Sequence, residues 1–194
     1  MAEKLLVISD MWGVKKGLWI TSYFGYLQQF FDIQFYDSQQ LGHIDELVNT
    51  EKNLHKAFVN GGIDTAVAHL MKKETEPCHV LAFSTGGTIA WKAGLKGFKM
   101  KSLTAISATR IRFEETKPSC EIDLMYGEND VYRPNLEWAE NVGVSMNVVP
   151  NFGHELYSDE KIITALCKGL LQKVLGGHQV ESEVSAPEQY KKGA

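Results

Sequence analysis

Residues 78–87 read Cys-His-Val-Leu-Ala-Phe-Ser-Thr-Gly-Gly. The first six form an apolar run that starts just after Pro77, the pattern of a short strand buried on both faces. The last four are small or polar and lead into a helical stretch over residues 86–95. A buried strand that turns at once into a helix is the repeating unit of a parallel sheet, because parallel neighbours need a crossover connection.

The same unit recurs on both sides. Upstream, residues 4–9 (KLLVIS) predict a buried strand and residues 18–30 an aromatic-rich helix with Ile20, Phe24 and Leu27 close to helical spacing. Residues 31–36 (FDIQFY) alternate as a strand does. Residues 43–74 hold two helical stretches broken at Gly61-Gly62, with Leu47, Leu54 and Phe58 on one face of the first and Ile63, Val67 and Leu70 on one face of the second. Downstream, residues 102–107 (SLTAIS), 121–126 (EIDLMY) and 145–149 predict three more strands. Residues 133–142 predict a short helix with Pro134 in its first turn, where a missing N–H costs nothing. The last helix is expected to start at Ser158 as N-cap and to stop at Gly176-Gly177. The expected architecture is α/β, a three-layer sandwich with a mostly parallel sheet of about six strands and right-handed crossovers. Residues 1–177 form its single domain, and residues 178–194 form a polar C-terminal tail.

Composition removes several classes of function. With 194 residues, 44% hydrophobic and 23% charged, the chain can bury one ordinary core. No apolar run approaches the roughly 20 residues that a bilayer span requires. The start, MAEKLLVISDMWG, lacks the charged head, long apolar middle and cleavage site of a secretory leader. A cytoplasmic protein with no membrane partner is expected. A net charge of −4 with dispersed lysines argues against nucleic acid, which needs clustered positive charge. Cys78, Cys120 and Cys167 are odd in number and far apart, so they form neither a CxxC motif nor a disulfide framework. Glycine-rich phosphate cradles and the His-Glu-x-x-His zinc motif are absent, and neither cofactor nor metal is expected.

In open parallel sheets, ligands sit beyond the carboxyl ends of the strands. Three strand ends carry reactive groups there: Ser84 after residues 78–83, Asp130 in Gly127-Glu128-Asn129-Asp130, and His154 in Asn151-Phe152-Gly153-His154. A serine hydroxyl is a weak nucleophile at neutral pH, so an imidazole must take its proton as it attacks an acyl carbon. A buried carboxylate must then hold that imidazole in the right tautomer and stabilise it once charged. Glu128 is a possible substitute for Asp130, whereas Asp123 lies inside a strand. His43, His55, His69 and His79 fall in helical or loop stretches or at the wrong end of a strand.

On these residues the chain resembles the α/β-hydrolase superfamily. The match lies in a small-x-Ser-x-Gly nucleophile turn (Ala82 to Gly86), a Gly-x-x-Asp turn (Gly127 to Asp130), a Gly-His segment (Gly153-His154), and the order Ser, Asp, His. The resemblance implies a compact, lidless serine hydrolase with catalytic Ser84, Asp130 and His154. It implies an oxyanion hole made of the Thr85 N–H and a second N–H from the loop after the first strand. Met11 and Trp12 are the candidates for that second donor, with Trp12 preferred, and both are expected to contact substrate. Two departures stand out. Ala82 replaces the first glycine of the nucleophile motif, and Asp10-Met11 replaces the usual His-Gly.

The implied activity is hydrolysis of a small or medium acyl ester or thioester through an acyl-enzyme. Acyl transfer with the same nucleophile is a rival. So is a non-catalytic flavodoxin-like ligand-binding module, whose strand plan is similar. Trp12, Trp19, Tyr23 and Phe24 could wall an apolar acyl pocket, and Arg110 and Arg112 could meet an anionic substrate group. The partner is a small acyl molecule, and the oligomeric state is left open.

Overall fold

Residues 78–83 are the third strand of a six-stranded sheet in a computed structural model that describes residues 2–176. The strands are β1 (Glu3–Ile8), β2 (Phe31–Tyr36), β3 (Cys78–Phe83), β4 (Met100–Ile106), β5 (Glu121–Gly127) and β6 (Met146–Val149). They run in the order β2-β1-β3-β4-β5-β6, and every pairing is parallel. The expected tail at residues 178–194 lies outside the described residues.

Among the described residues, seven α-helices connect and cover the sheet: α1 (Ile20–Leu27), α2 (Ser38–Leu41), α3 (Glu51–Ala57), α4 (Ile63–Lys73), α5 (Thr85–Leu95), α6 (Leu136–Val142) and α7 (Glu160–Leu175). Burial on both faces follows from the period of two along each strand. In β1, Leu6 and Ile8 join a core with α4 and α5, whereas Leu5 and Val7 face α1 and α7. All four side chains are fully buried, which is why β1 reads as a continuous apolar run.

Local hydrogen bonds move several boundaries from their expected places. Leu47 is fully exposed and precedes α3, which starts only where the Thr50 hydroxyl accepts from Asn53 N at 3.2 Å. The helix α2 was not expected, and it forms because the Asp37 carboxylate accepts from Gln39 N and Gln40 N. The start of α7 belongs to Asp159, not Ser158: Asp159 Oδ1 accepts from Lys161 N at 2.9 Å, while the Ser158 hydroxyl donates to Glu155 O at 2.8 Å. Pro134 lies before α6 rather than in its first turn, because Asn135 is the cap. The break at Gly61-Gly62 is a π turn, Phe58–Gly62, in which Gly61 takes φ 122°. Cys78 and Cys167 are buried, and all three cysteines are free. Among the described residues, no helix is long and apolar enough to cross a membrane.

Candidate active site

The turn from β3 into α5 sets Ser84. Its backbone lies at φ 49°, ψ −114°, a region L-residues avoid, and the surrounding packing holds it there. Ser84 N donates to Ile106 O of β4 at 2.9 Å. Gly86 lets α5 close onto β1, since a Cβ there would lie 2.3 Å from Ser9 O and 2.6 Å from Ile8 O. Ala82 fits at the other small position, fully buried between Ile8 and Ala105 of the neighbouring strands.

The structure brings Ser84, His154 and Asp130 into one hydrogen-bonded line. Ser84 Oγ lies 2.8 Å from His154 Nε2, and His154 Nδ1 lies 2.9 Å from Asp130 Oδ2. The carboxylate fixes the proton on Nδ1, leaving Nε2 free to accept from the serine hydroxyl. Asp130 is 5% exposed, and its other oxygen accepts from Tyr132 N at 2.9 Å. Glu128 turns away, exposed, to accept from Asn151 N at 3.1 Å. The acid loop and the imidazole loop are joined, because Asn129 N donates to Phe152 O at 2.8 Å.

Near Ser84 lies a residue whose role the sequence reading missed. Asp10 is 3% exposed, and its Oδ1 accepts from Trp12 N at 2.9 Å and Gly13 N at 3.2 Å. Its Oδ2 accepts from the Tyr157 hydroxyl at 3.2 Å. Burial pushes the Asp10 carboxyl up to about 6, against the three donors that pull the other way. This corrects the expected second oxyanion donor: the Trp12 N–H is committed to Asp10. The Met11 N–H, like the Thr85 N–H at the start of α5, has no partner among the described residues. The signal was in the sequence, since aspartate favours binding the N–H two residues on.

A pocket of about 1220 Å³ surrounds these groups, with Met11, Trp12, Ser84, Thr85 and His154 in its lining. Of the four aromatic residues expected to wall it, Trp12 alone does so. Trp19, Tyr23 and Phe24 pack into the core beneath α1, with Trp19 edge-on to Phe83 at 4.8 Å. Part of the wall comes instead from α3 and the π turn (Glu51, Lys52, His55, Phe58 and Val59). Arg110 and Arg112 line it as well. No group of three or more metal-ligating side chains occurs among the described residues.

Solved structures of known proteins share this architecture. A protein described as belonging to the hydrolases of the alpha/beta superfamily, from Xanthomonas campestris, matches with TM-score 0.65 and 15% identity over 89% of this chain and 99% of its own. A carboxylesterase structure from Nitrososphaera gargenis matches with TM-score 0.60 and 13% identity over 91% and 92% of the two chains. An alpha/beta hydrolase enzyme from the sediment metagenome of the Mar Chica lagoon, Morocco, matches with TM-score 0.61 and 13% identity over 89% and 92%. No protein-family model matches the sequence, and no curated protein does. The chain has the α/β-hydrolase fold.

Proposed function

We propose that the protein is a serine hydrolase that cleaves a small or medium acyl ester or thioester through an acyl-enzyme. The observation that carries this reading is the line from Ser84 Oγ to His154 Nε2 to Asp130, with contacts of 2.8 and 2.9 Å. In the first half-reaction, Ser84 Oγ attacks the acyl carbon as His154 Nε2 takes its proton. Asp130 stabilises the imidazolium, which then protonates the leaving alcohol or thiol. In the second, His154 takes a proton from water, the resulting hydroxide attacks the acyl-enzyme, and Ser84 leaves as the alcohol. The Thr85 and Met11 N–H groups are the donors for the charge that develops on the acyl oxygen. The Trp12 ring contributes apolar surface for substrate. The wide pocket favours water over a dedicated acyl acceptor, and so hydrolysis over transfer.

A fluorophosphonate probe is expected to label Ser84, located by mass spectrometry. Ser84→Ala is expected to abolish labelling and to lower kcat/KM on a p-nitrophenyl acyl ester by about three or more powers of ten. An unchanged rate in that variant would exclude Ser84 as nucleophile, and a folded wild type that resists the probe would overturn the reaction class.

A further inference from the structure

The pocket described above carries positive charge that neither the triad nor the oxyanion donors use. The chain is acidic overall, at −4, and five of its lysines are paired with carboxylates: Lys4 with Glu74, Lys92 with Glu114, Lys96 with Asp64, Lys101 with Glu3, and Lys173 with Glu121 and Asp123. Lys52, Arg110 and Arg112 line the pocket, yet none has a carboxylate partner among the described residues. Arg110 and Arg112 are half-buried in that lining.

The turn that carries both arginines is held in place. They sit on the 3-10 turn Arg110–Phe113, which follows Thr109. Thr109 N donates to the carbonyl of Ser84 itself at 3.3 Å, and its hydroxyl lies 3.2 Å from that of Thr88. The turn is therefore anchored to the nucleophile. Arg112 donates to Tyr132 O at 3.1 Å and Thr109 O at 3.3 Å, and its guanidinium lies 4.5 Å from the centre of the Phe113 ring. Arg110 stands 5.1 Å from the same ring and makes no hydrogen bond among the described residues. A guanidinium stacked on an aromatic face keeps its edge donors free for a planar or tetrahedral anion.

Four acids line the same pocket, and three of them, Asp10, Glu51 and Asp159, accept hydrogen bonds within the chain. Asp10 is buried with three donors, and Asp159 caps α7. Glu155 follows His154 on the imidazole loop. Glu51 receives the Tyr132 hydroxyl at 3.3 Å. On the wall made by α3 and the 3-10 turn, Glu51 thus stands against Lys52, Arg110 and Arg112.

We propose that this wall is an anion subsite, with Arg110 as its specificity-determining residue, and that the acyl substrate carries a carboxylate or phosphate on its acyl or its leaving side. The inference rests on the serine-hydrolase reading, and its test separates the two. One arm compares mono-p-nitrophenyl glutarate with p-nitrophenyl pentanoate, placing a carboxylate on the acyl side. The other compares an acyl-coenzyme A with the same acyl group on N-acetylcysteamine, placing phosphates on the leaving side. The wild type is expected to favour the charged member of at least one pair by about tenfold or more in kcat/KM, the size of one charge-assisted contact. The arm that responds identifies the source of the anion. Arg110→Gln is expected to remove most of that ratio, and Arg110→Glu to invert it. Because both rates scale with the amount of folded enzyme, the ratio is blind to partial unfolding. Turnover of the neutral esters with no preference in either arm, or a preference that survives Arg110→Glu, would overturn the subsite and leave the hydrolase standing. Failure of Ser84 to react with the fluorophosphonate, with no turnover of any ester, would remove both.

Discussion

Asp10 shows how one side chain can redirect a loop. Asp10-Met11 stands where the pattern the sequence resembles has His-Gly, and in the structure the aspartate folds back onto the N–H groups that follow it. That choice hands the unpaired N–H from Trp12 to Met11. It also leaves a buried carboxyl raised to about 6. The ionised form is therefore disfavoured in the folded state. Relative to a side chain that stays neutral, the folded protein keeps its full stability below the unfolded value near 4. It then loses stability as pH rises through about 6. A rise of roughly two pH units corresponds to about 3 kcal/mol. Asp10→Asn keeps an acceptor for the two N–H groups and offers a donor to the Tyr157 oxygen. The variant is expected to gain in thermal midpoint over the wild type as pH is raised from 4 to 7. A constant difference across that range would show that the carboxyl titrates normally.

At the scale of elements, strands were the most legible part of the chain. Burial on both faces makes β3 a nearly continuous apolar run, the edge position of β2 makes it alternate, and both lie at the expected residues. Helix ends were less so. Asp37, Thr50, Asn135 and Asp159 each cap a helix by accepting backbone N–H groups, and several polar residues at each boundary were chemically eligible. The pocket wall from α3 was missed for another reason: exposed helix faces such as Lys52 and His55 carry no pattern that says what they overlook.

Loop docking is written more plainly. A Cβ on Gly127 would sit 2.3 Å from Phe152 O and 2.4 Å from Gly153 O, so this glycine sets how near the end of β5 comes to the imidazole loop. Gly127→Ala is expected to cost about 1–3 kcal/mol and to slow fluorophosphonate labelling of Ser84 at least about tenfold by displacing His154. Gly25→Ala in α1, where a Cβ meets nothing within 4 Å, is the control. It should label at the wild-type rate and gain up to about 1 kcal/mol.

On the scale of the whole molecule, the first five strands follow the order β2-β1-β3-β4-β5, the same as a flavodoxin-like sheet. That is why strand order alone left two folds open. The sixth strand and the loop after it, with His154, separate them. Ser84, Asp130 and His154 lie outside the two core clusters, so on the proposed mechanism stability and chemistry should be separable at Leu70, away from the pocket. Leu70 is fully buried on α4. Leu70→Ala is expected to lower stability by about 2–5 kcal/mol in denaturant titration, while the folded fraction keeps its rate on p-nitrophenyl esters. This core meets the pocket at Phe58 and Ile63, so a loss of rate in fully folded protein would mean that Leu70 sets the shape of that wall.

The sheet order also has a bearing on timing. Ser84 and His154 are 70 positions apart, and the imidazole arrives on the loop that follows the edge strand β6. Closing so long a stretch of polymer is entropically slow compared with local contacts. On the proposed mechanism, the serine elbow emerges from the ribosome well before its proton acceptor, and the hydroxyl is activated only once the loop after β6 has docked. Covalent tagging of that hydroxyl is thus a clock for the completion of folding.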